Sequence, residues 1–385
     1  MNKVVIVSAQ RTPVGKFRGR LSNYSAVELG TAALKSAINK IQLDPKDIEN
    51  VIFGNVVQAG TGQNAARQIA VNAGLPYETP GMTVNEVCGS GLKSIILGKQ
   101  LIQLGEANVV AVGGVESMTN TPDLILKKGD APVKSFMHDG LTDVFHNMAM
   151  GLTAEAIATK YDVTREEQDA FALNSHLKSD KATKAGKFNE EIVSLEDVNG
   201  ETMTSDELIR PESTMEDLAT LKTIFKEDGT VTAGNASALS DGGSALILMS
   251  ESYAKENGYT ILATVGQHAE IGCDPLYMGY APFYAVESLL NKTGKTIQDI
   301  DLVEMTEAFS AQSIPVKKNL NIPDKKFNIY GGAIALGHPL GSTGSRLVTT
   351  LAHALKQEDK QTGIATACIG GGLGIALMIE KGVGL

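Results

Sequence analysis

The sequence contains little cysteine and no long apolar run. Its three cysteines are too few, and odd in number, for a disulfide framework. No apolar run reaches the roughly 18 residues that a membrane span needs. The first residues predict a strand rather than a secretion signal. We therefore expect a reduced, cytoplasmic protein that has no membrane partner.

Several ligand-binding motifs are also missing. No glycine turn matches the dinucleotide or nucleotide-phosphate patterns. The cysteines lack zinc-ligand spacing, and the six histidines form no metalloprotease motif. The formal net charge of -10 argues against non-specific binding to nucleic acid. We expect no metal, no cofactor and no nucleic-acid partner.

The residues that are present predict a large α/β protein. A length of 385 residues favours two or three domains, and 43% hydrophobic residues suffice for a sizeable core. Short β-branched runs alternate with amphipathic patterns, which is typical of α/β layering. The predicted strands are 4–7, 50–54, 109–113, 260–269, 302–304 and 364–368. The predicted helices are 26–38, 91–104, 281–291 and 345–355.

An internal repeat runs through this pattern. Glycine turns at 89–91 and 341–344 each open a predicted helix that leads to a buried strand. The strand sequence GGSALILMSE at 242–251 is similar to GGLGIALMIE at 371–380. About 130 residues separate the last two strands of the first copy, whereas a short turn joins those of the second. We interpret the chain as a duplicated α/β unit whose first copy carries an insert.

Cys88 is the candidate nucleophile. It precedes a predicted helix, whose N-terminus stabilises a thiolate through free backbone N–H groups and the helix dipole. Gly89 and Gly91 allow a bulky thioester to approach the backbone. The alternative interpretation is an inert buried cysteine, because free cysteine is among the most buried residues.

Two further side chains complete a set suited to nucleophilic acyl transfer. His338 is held between Gly337 and Pro339, and an imidazole, whose ordinary pKa is about 6.5, can take a proton from a thiol and return it. Cys368 ends a strand before a glycine run whose N–H groups can bind an oxyanion. Each has a structural alternative: a loop histidine bonded to backbone and a core cysteine. Cys273 has no comparable setting, and we expect it to be structural.

Five segments resemble signature blocks of the thiolase family, and the resemblance covers almost the whole chain. They are RTPVGKF at 11–17, GQNAARQ at 62–68, VCGSGLK at 87–93, GAIALGHP at 332–339 and CIGGG at 368–372. The resemblance implies duplicated α/β units in a layered α-β-α-β-α core. It places the N-terminal half at 1–118 and 239–261, an inserted CoA-binding loop domain at 119–238, and the C-terminal half at 262–385.

The resemblance also implies a chemistry. A short-chain thiolase reversibly condenses two acetyl-CoA molecules into acetoacetyl-CoA and CoA. Cys88 would carry the acetyl group with His338 as its base, and Cys368 would take the Cα proton of the second acetyl-CoA. One oxyanion hole would use the N–H groups of Cys88 and Gly370. The other would use His338 and a water held at Thr306.

Contacts with CoA follow from the same resemblance. Arg210 would meet the nucleotide end of CoA, and Ser237 would meet the pantetheine. The remaining contacts would come from four apolar side chains, Leu141, Met150, Met278 and Phe309. Methionines are equally common in a plain core, so the lining role and a structural role both stay open.

The sequence departs from the family pattern at two positions. Thr306 stands where the family usually has the asparagine that holds the oxyanion-hole water. Threonine is shorter and offers one hydroxyl, so we expect weaker stabilisation of the acceptor enolate. Ala149 stands where the family commonly has a histidine, with His146 nearby but out of register.

Three interpretations of the function remain at this point. Beside the short-chain condensing enzyme stand a degradative 3-ketoacyl-CoA thiolase of broader chain length and a weakly catalytic acyl-CoA-binding protein. Retention of both cysteines and the histidine argues against the last. The stretch 119–135 is shorter than in tetrameric family members, so we expect a homodimer or a homotetramer.

Overall fold

The computed structural model describes residues 2–382, and sixteen strands and eleven α-helices are assigned in that range. The strands are β1 (Val4–Arg11), β2 (Gly15–Lys16), β3 (Asn50–Gly54), β4 (Gly81–Val84), β5 (Val109–Ser117), β6 (Asp123–Leu124), β7 (Val133–Lys134), β8 (Thr142–Asp143), β9 (Met148–Ala149), β10 (Leu195–Glu196), β11 (Thr202–Met203), β12 (Ser240–Ser250), β13 (Ala263–Gly272), β14 (Leu302–Met305), β15 (Thr362–Ile369) and β16 (Leu373–Lys381). The helices are α1 (Ala26–Lys40), α2 (Ala65–Asn72), α3 (Ser90–Leu104), α4 (Met150–Lys160), α5 (Arg165–Lys184), α6 (Met215–Ala219), α7 (Glu251–Glu256), α8 (Ala281–Thr293), α9 (Ser310–Asn319), α10 (Ala333–Leu336) and α11 (Leu340–Gln357).

One sheet of ten strands runs through both halves of the chain. Its order is β14-β15-β16-β13-β1-β12-β5-β3-β4, with β2 beside β12. The halves join where β1 pairs with β13 through Val5 with Thr264 and Ile6 with Ala263. Within residues 2–382, no helix is both long enough and apolar enough to cross a membrane.

The sheet is covered on both faces, which gives the predicted layered α-β-α-β-α core. Helices α3 and α11 lie between the strands of the two halves and share one apolar cluster with them. Helices α1 and α2 cover the outer face of the first half, and α8 and α9 cover that of the second. Residues on β1 alternate accordingly: Val4 and Ile6 face the middle layer, whereas Val5 and Val7 face α1.

The predicted duplication is visible in the strand pairing. In the first half, β3 runs parallel to β5, and β12 pairs antiparallel with both β5 and β1. In the second half, β14 runs parallel to β15, and β16 pairs antiparallel with both β15 and β13. The helices α3 and α11 occupy equivalent places, each before the second strand of its unit. The two halves therefore share one arrangement.

The predicted elements are found, but several extend further than predicted. Strand β1 continues to Arg11 because its polar end is satisfied inside the protein: the guanidinium forms buried ion pairs with Glu191 and Asp206. Strand β5 continues to Ser117 through the buried carboxylate of Glu116. The hydrophobic pattern did not predict these extensions, because the added residues at the strand ends include polar ones.

The start of α11 differs from the prediction. The helix begins at Leu340 after an N-cap at Pro339, not at residue 345. Gly341 and Gly344 therefore lie inside the first helical turns rather than in a turn before them. Because these glycines have no side chain, neighbouring backbone can pack closely against them. This close packing explains why glycine occupies helical positions where it lowers the helix propensity.

The inserted segment between β5 and β12 is helical with short hairpins. It carries α4, α5 and α6 together with the three two-stranded ribbons β6–β7, β8–β9 and β10–β11. The buried ion pairs of Arg11 fasten it to β1, since Glu191 and Asp206 both lie in this segment. The boundaries given above for the three parts of the chain stay a prediction.

Glycines allow α3 and α11 to touch at backbone distance. A Cβ added at Gly344 would lie 2.3 Å from the Leu92 nitrogen, and one added at Gly91 would lie 2.5 Å from the Ser345 nitrogen. Neither backbone atom can move aside without shifting a helix. Any side chain at these positions would therefore push the two helix starts apart.

We expect Gly344→Ala to lower the free energy of unfolding by about 1–3 kcal/mol, because the overpacking outweighs the better helix propensity of alanine. Chemical denaturation of the variant and of the parent measures the difference. Gly272→Ala is the matched control, because its new Cβ would meet an ordinary contact at 3.8 Å. Equal losses in the two variants would contradict the helix-contact explanation.

Candidate active site

Cys88 lies in a strained turn between β4 and α3. The preceding residue, Val87, has φ 45°, a left-handed conformation that is unusual for a β-branched side chain. The Asn85 side chain accepts from the Val87 N–H at 3.0 Å, and the Ser90 hydroxyl donates to the Val87 carbonyl at 2.7 Å. These bonds hold the strained backbone and fix the direction of the Cys88 side chain.

His338 lies in the equivalent loop before α11. Its Nε2 is 3.3 Å from Cys88 Sγ, and its Nδ1 is 2.6 Å from Thr343 Oγ1. The Thr343 hydroxyl donates its single proton to the Pro339 carbonyl at 3.1 Å, so it accepts from Nδ1–H. The Nε2 lone pair therefore faces the thiol, as a general base requires.

Cys368 lies near the end of β15, on the other side of the same cavity. The following turn to β16 uses Gly371 and Gly372, whose φ values of 93° and 86° favour glycine. Gly370 lines the cavity with Cys88, and the backbone N–H groups of Gly370 and of Cys88 itself both act to lower the pKa of the Cys88 thiol, against the larger effect of burial. We expect these two N–H groups to face the oxygen of a thioester that Cys88 attacks, where negative charge would develop.

The buried carboxylate of Glu116 connects the segment that follows β3 with the start of α11. It accepts from the backbone N–H groups of Val56 and Val57, both at 3.1 Å, and from the Asn55 side chain at 2.9 Å. It also accepts from the Gly341 N–H at 2.9 Å, in the first turn of α11. Glu116 therefore ties the N-terminal half to the helix that follows His338.

Burial keeps the reactive pair neutral at rest. It raises the pKa of the Cys88 thiol well above its ordinary value, and the nearby Cys368 acts in the same direction. It lowers the pKa of His338 to about 3, with a smaller contribution from Arg346. The thiol form of Cys88 therefore predominates at rest, because desolvation outweighs the helix N–H groups. The proton must leave Cys88 during attack.

The predicted site residues share one cavity of roughly 440 Å³, with Thr306 as the exception. Its walls are mainly apolar, and they come from both halves and from the inserted segment. The sequence-predicted residues that line it are Cys88, Leu141, Met150, Arg210, Ser237, Met278, Phe309, His338, Cys368 and Gly370. Their convergence places the candidate reactive groups and the expected CoA contacts in one space.

The apolar contacts of Met150 and Met278 decide between a role in lining the cavity and a role in the core. Met150 and Met278 pack with Cys368 and Phe309 in one small cluster, yet both also line the cavity. They are wall residues rather than members of the large cores. The Ser237 N–H donates to the Ala308 carbonyl at 2.9 Å, which fixes the wall of the inserted segment against the second half.

The two departures from the family pattern occupy different positions. Ala149 lines the cavity, whereas His146 is partly exposed and bonds with Asp143 at 2.8 Å. Thr306 is fully buried behind the wall, and its Oγ1 has no hydrogen-bond partner within residues 2–382. Its backbone is held, because its N–H donates to the Thr366 carbonyl at 3.1 Å.

Several residues of the site were missed in the sequence. Thr343 was visible only as part of a glycine turn, and Glu116 only as a charge beside a buried strand. Gln312, whose Oε1 accepts from the Cys368 thiol at 3.1 Å, gave no signal. Across residues 2–382, no group of three metal-binding side chains comes together.

Comparison with known proteins assigns the family. The sequence model of the thiolase N-terminal domain matches residues 4–252, and that of the thiolase C-terminal domain matches residues 259–381. A cavity that joins a cysteine–histidine pair to a second cysteine suits an acyltransferase. The chain belongs to the thiolase family, and it is an acyltransferase of that family.

Relatives match over nearly the whole chain. An acetyl-CoA acetyltransferase of Cupriavidus necator is 45% identical over 99% of this chain and 100% of its own length. A probable acetyl-CoA acyltransferase of Staphylococcus aureus is 46% identical with the same coverage. The crystal structure of human mitochondrial 3-ketoacyl-CoA thiolase has a TM-score of 0.96 at 40% identity, covering 99% of each chain.

We expect acyl transfer to retain its rate at pH values well below 6.5. Protonating His338 would abolish the base, but burial disfavours the imidazolium and lowers the pKa to about 3. The pH profile of kcat/KM measures this, with circular dichroism to confirm folding at each pH. An acid limb centred near 6.5 in a folded enzyme would contradict the neutral-pair description.

The lowered pKa of His338 also makes the stability of the folded chain depend on pH. The unfolded chain binds a proton at this histidine near pH 6.5, whereas the folded chain does not until about pH 3. The contribution of His338 to stability is therefore complete above pH 6.5 and declines as the pH falls towards 3.

Proposed function

We propose that the chain is an acetyl-CoA C-acetyltransferase, which condenses two acetyl-CoA molecules to acetoacetyl-CoA and CoA through an acetyl-Cys88 intermediate. The observation that carries this proposal is the 3.3 Å contact between Cys88 Sγ and His338 Nε2 in a cavity that also contains Cys368. The relatives named acetyl-CoA acetyltransferase support the choice of substrate.

The first half-reaction acetylates Cys88. As Sγ attacks the thioester carbon, His338 Nε2 accepts the thiol proton, and the N–H groups of Cys88 and Gly370 stabilise the oxyanion. The CoA thiolate leaves and takes the proton of Cys368. This proton transfer is needed because burial raises the pKa of the Cys368 thiol to about 11, so that little thiolate is present at rest.

The second half-reaction forms the carbon–carbon bond. The Cys368 thiolate takes a Cα proton from the second acetyl-CoA, and the resulting carbanion attacks the carbonyl of acetyl-Cys88. The Cys88 thiolate leaves and recovers its proton from the His338 imidazolium. Both thiols and the neutral imidazole are restored, so the cycle balances, and thiolysis follows the same steps in reverse.

A degradative 3-ketoacyl-CoA thiolase of broader chain length is the second candidate. It is favoured by the apolar lining next to Cys88, where Met118, Leu141 and Ala149 face the cavity. Ala149 leaves space at a position where the family pattern has a histidine. The structural similarity to human mitochondrial 3-ketoacyl-CoA thiolase agrees with this candidate.

We expect Cys88→Ala, His338→Ala and Cys368→Ala each to reduce thiolysis of acetoacetyl-CoA by roughly a thousandfold or more, because each removes a group that reacts. The assay follows loss of acetoacetyl-CoA in the presence of free CoA. Cys273→Ala is the control and should retain the parent rate, because this cysteine lies outside the cavity lining.

A parent that cleaves only longer 3-ketoacyl-CoA substrates would favour the second candidate. A parent that binds acetoacetyl-CoA without turnover would indicate a binding protein.

We expect Thr306→Asn to condense acetyl-CoA faster than the parent, by roughly tenfold, because asparagine adds an amide that would hold the water facing the acceptor oxyanion. The Thr306 hydroxyl is buried and lacks a partner within residues 2–382, so little is lost in the exchange. Initial rates of acetoacetyl-CoA formation give the comparison, and Thr306→Val reports the contribution of the hydroxyl alone. An asparagine variant no faster than the parent would refute this expectation.

A further inference from the structure

Cys368 has one polar side-chain contact in the structure. Its thiol donates to Gln312 Oε1 at 3.1 Å. Gln312 is the third residue of α9, is fully buried, and is absent from the residues that line the cavity. It therefore reaches Cys368 from behind the cavity wall, where it meets the sulphur without meeting a substrate.

The orientation of the Gln312 amide is determined by its second contact. The Nε2 group donates to the Thr306 carbonyl at 3.1 Å, and a carbonyl oxygen can only accept. A flipped amide would place two oxygens against each other. The acceptor Oε1 must therefore face Cys368, and the choice between the two amide orientations follows from the Thr306 backbone.

Packing holds the side chain in this position. A Cβ at Gly279 would lie 2.8 Å from Gln312 Cβ, so the glycine leaves room for the glutamine stem. The Thr306 backbone is itself bound to the Thr366 carbonyl of β15, two residues before Cys368. Gln312 thus joins the end of β14 to the end of β15 through the thiol.

An acceptor opposite a thiol has a definite chemical effect. It binds the protonated sulphur and offers no donor to the thiolate, so it favours the thiol and makes the thiolate a stronger base. A strong base is what the second half-reaction needs, because the Cα proton of a thioester is only weakly acidic. The same contact keeps the sulphur in one place while the proton is transferred.

We propose that Gln312 is a positioning residue that holds the Cys368 thiol and strengthens its thiolate as the base for Cα proton removal. This inference rests on the proposed condensation reaction. Gln312 acts through Cys368, so its removal should affect only those steps in which Cys368 exchanges a proton and should leave the attack of Cys88 itself unchanged.

The test compares two reactions of Gln312→Leu, which retains the size of the side chain but removes both polar atoms. Acetylation of Cys88 by 4-nitrophenyl thioacetate needs no proton from Cys368, because the nitrothiophenolate leaves unprotonated. We expect that rate to stay within about twofold of the parent, while condensation of acetyl-CoA falls by roughly tenfold or more. Equal losses in both reactions, or no loss in condensation, would overturn the inference.

A double-mutant cycle separates positioning from general structural damage. In a Cys368→Ala background, Gln312→Leu should cause no further loss in acetylation of Cys88 by acetyl-CoA, because its partner is already absent. The same loss in both backgrounds would show a structural role and overturn the inference. A parent that cannot condense or cleave would instead reject the proposed function, and this inference with it.

Gln312→Glu gives a second readout through pH. A protonated glutamic acid donates to the Thr306 carbonyl and accepts from the thiol, as glutamine does, whereas the carboxylate has no donor. Condensation by this variant, divided by that of the parent, should therefore fall as the pH rises through the pKa of the new carboxyl group. A ratio that is constant between pH 5 and 8 while Gln312→Leu is also unimpaired would contradict the proposal.

Discussion

The close contact between the starts of α3 and α11 is the constraint on which the site depends. Cys88 and His338 are 250 positions apart in the chain, yet each immediately precedes one of these helices. Glycines at the crossing let the helix backbones meet, and Glu116 connects the surrounding loops to the first turn of α11. The proposed base and the proposed nucleophile meet because the two copies of the α/β unit pack through equivalent helices.

Desolvation is the second organising effect. The cavity is lined mainly by apolar side chains from three parts of the chain, and the groups buried at its wall rest in their neutral forms. In such surroundings fixed N–H groups interact strongly with any charge that develops. The proposed mechanism thus relies on donors that are in place beforehand, at Cys88 and Gly370, rather than on a charge held at rest.

Sequence reasoning predicted the layered fold, the duplication and the convergence of most site residues, because these depend on hydrophobic period and on recognisable motifs. It did not predict the left-handed Val87, since no residue type signals strain that neighbouring bonds maintain. It placed the start of α11 too late because it interpreted the glycines as a turn. It also did not predict that burial raises the pKa of the Cys88 thiol, because burial in a cavity formed by distant segments is not visible in local sequence.

The order of the reactive residues along the chain has a consequence for biosynthesis. Cys88 is synthesised long before His338 and Cys368. Strand β1 can pair with β12 and β13 only after those distant segments have been made. Such non-local pairing slows folding. Until the second half docks, Cys88 lacks both the proposed base His338 and the proposed oxyanion donor Gly370. On the proposed mechanism, the chain therefore becomes able to transfer an acyl group only at the end of folding.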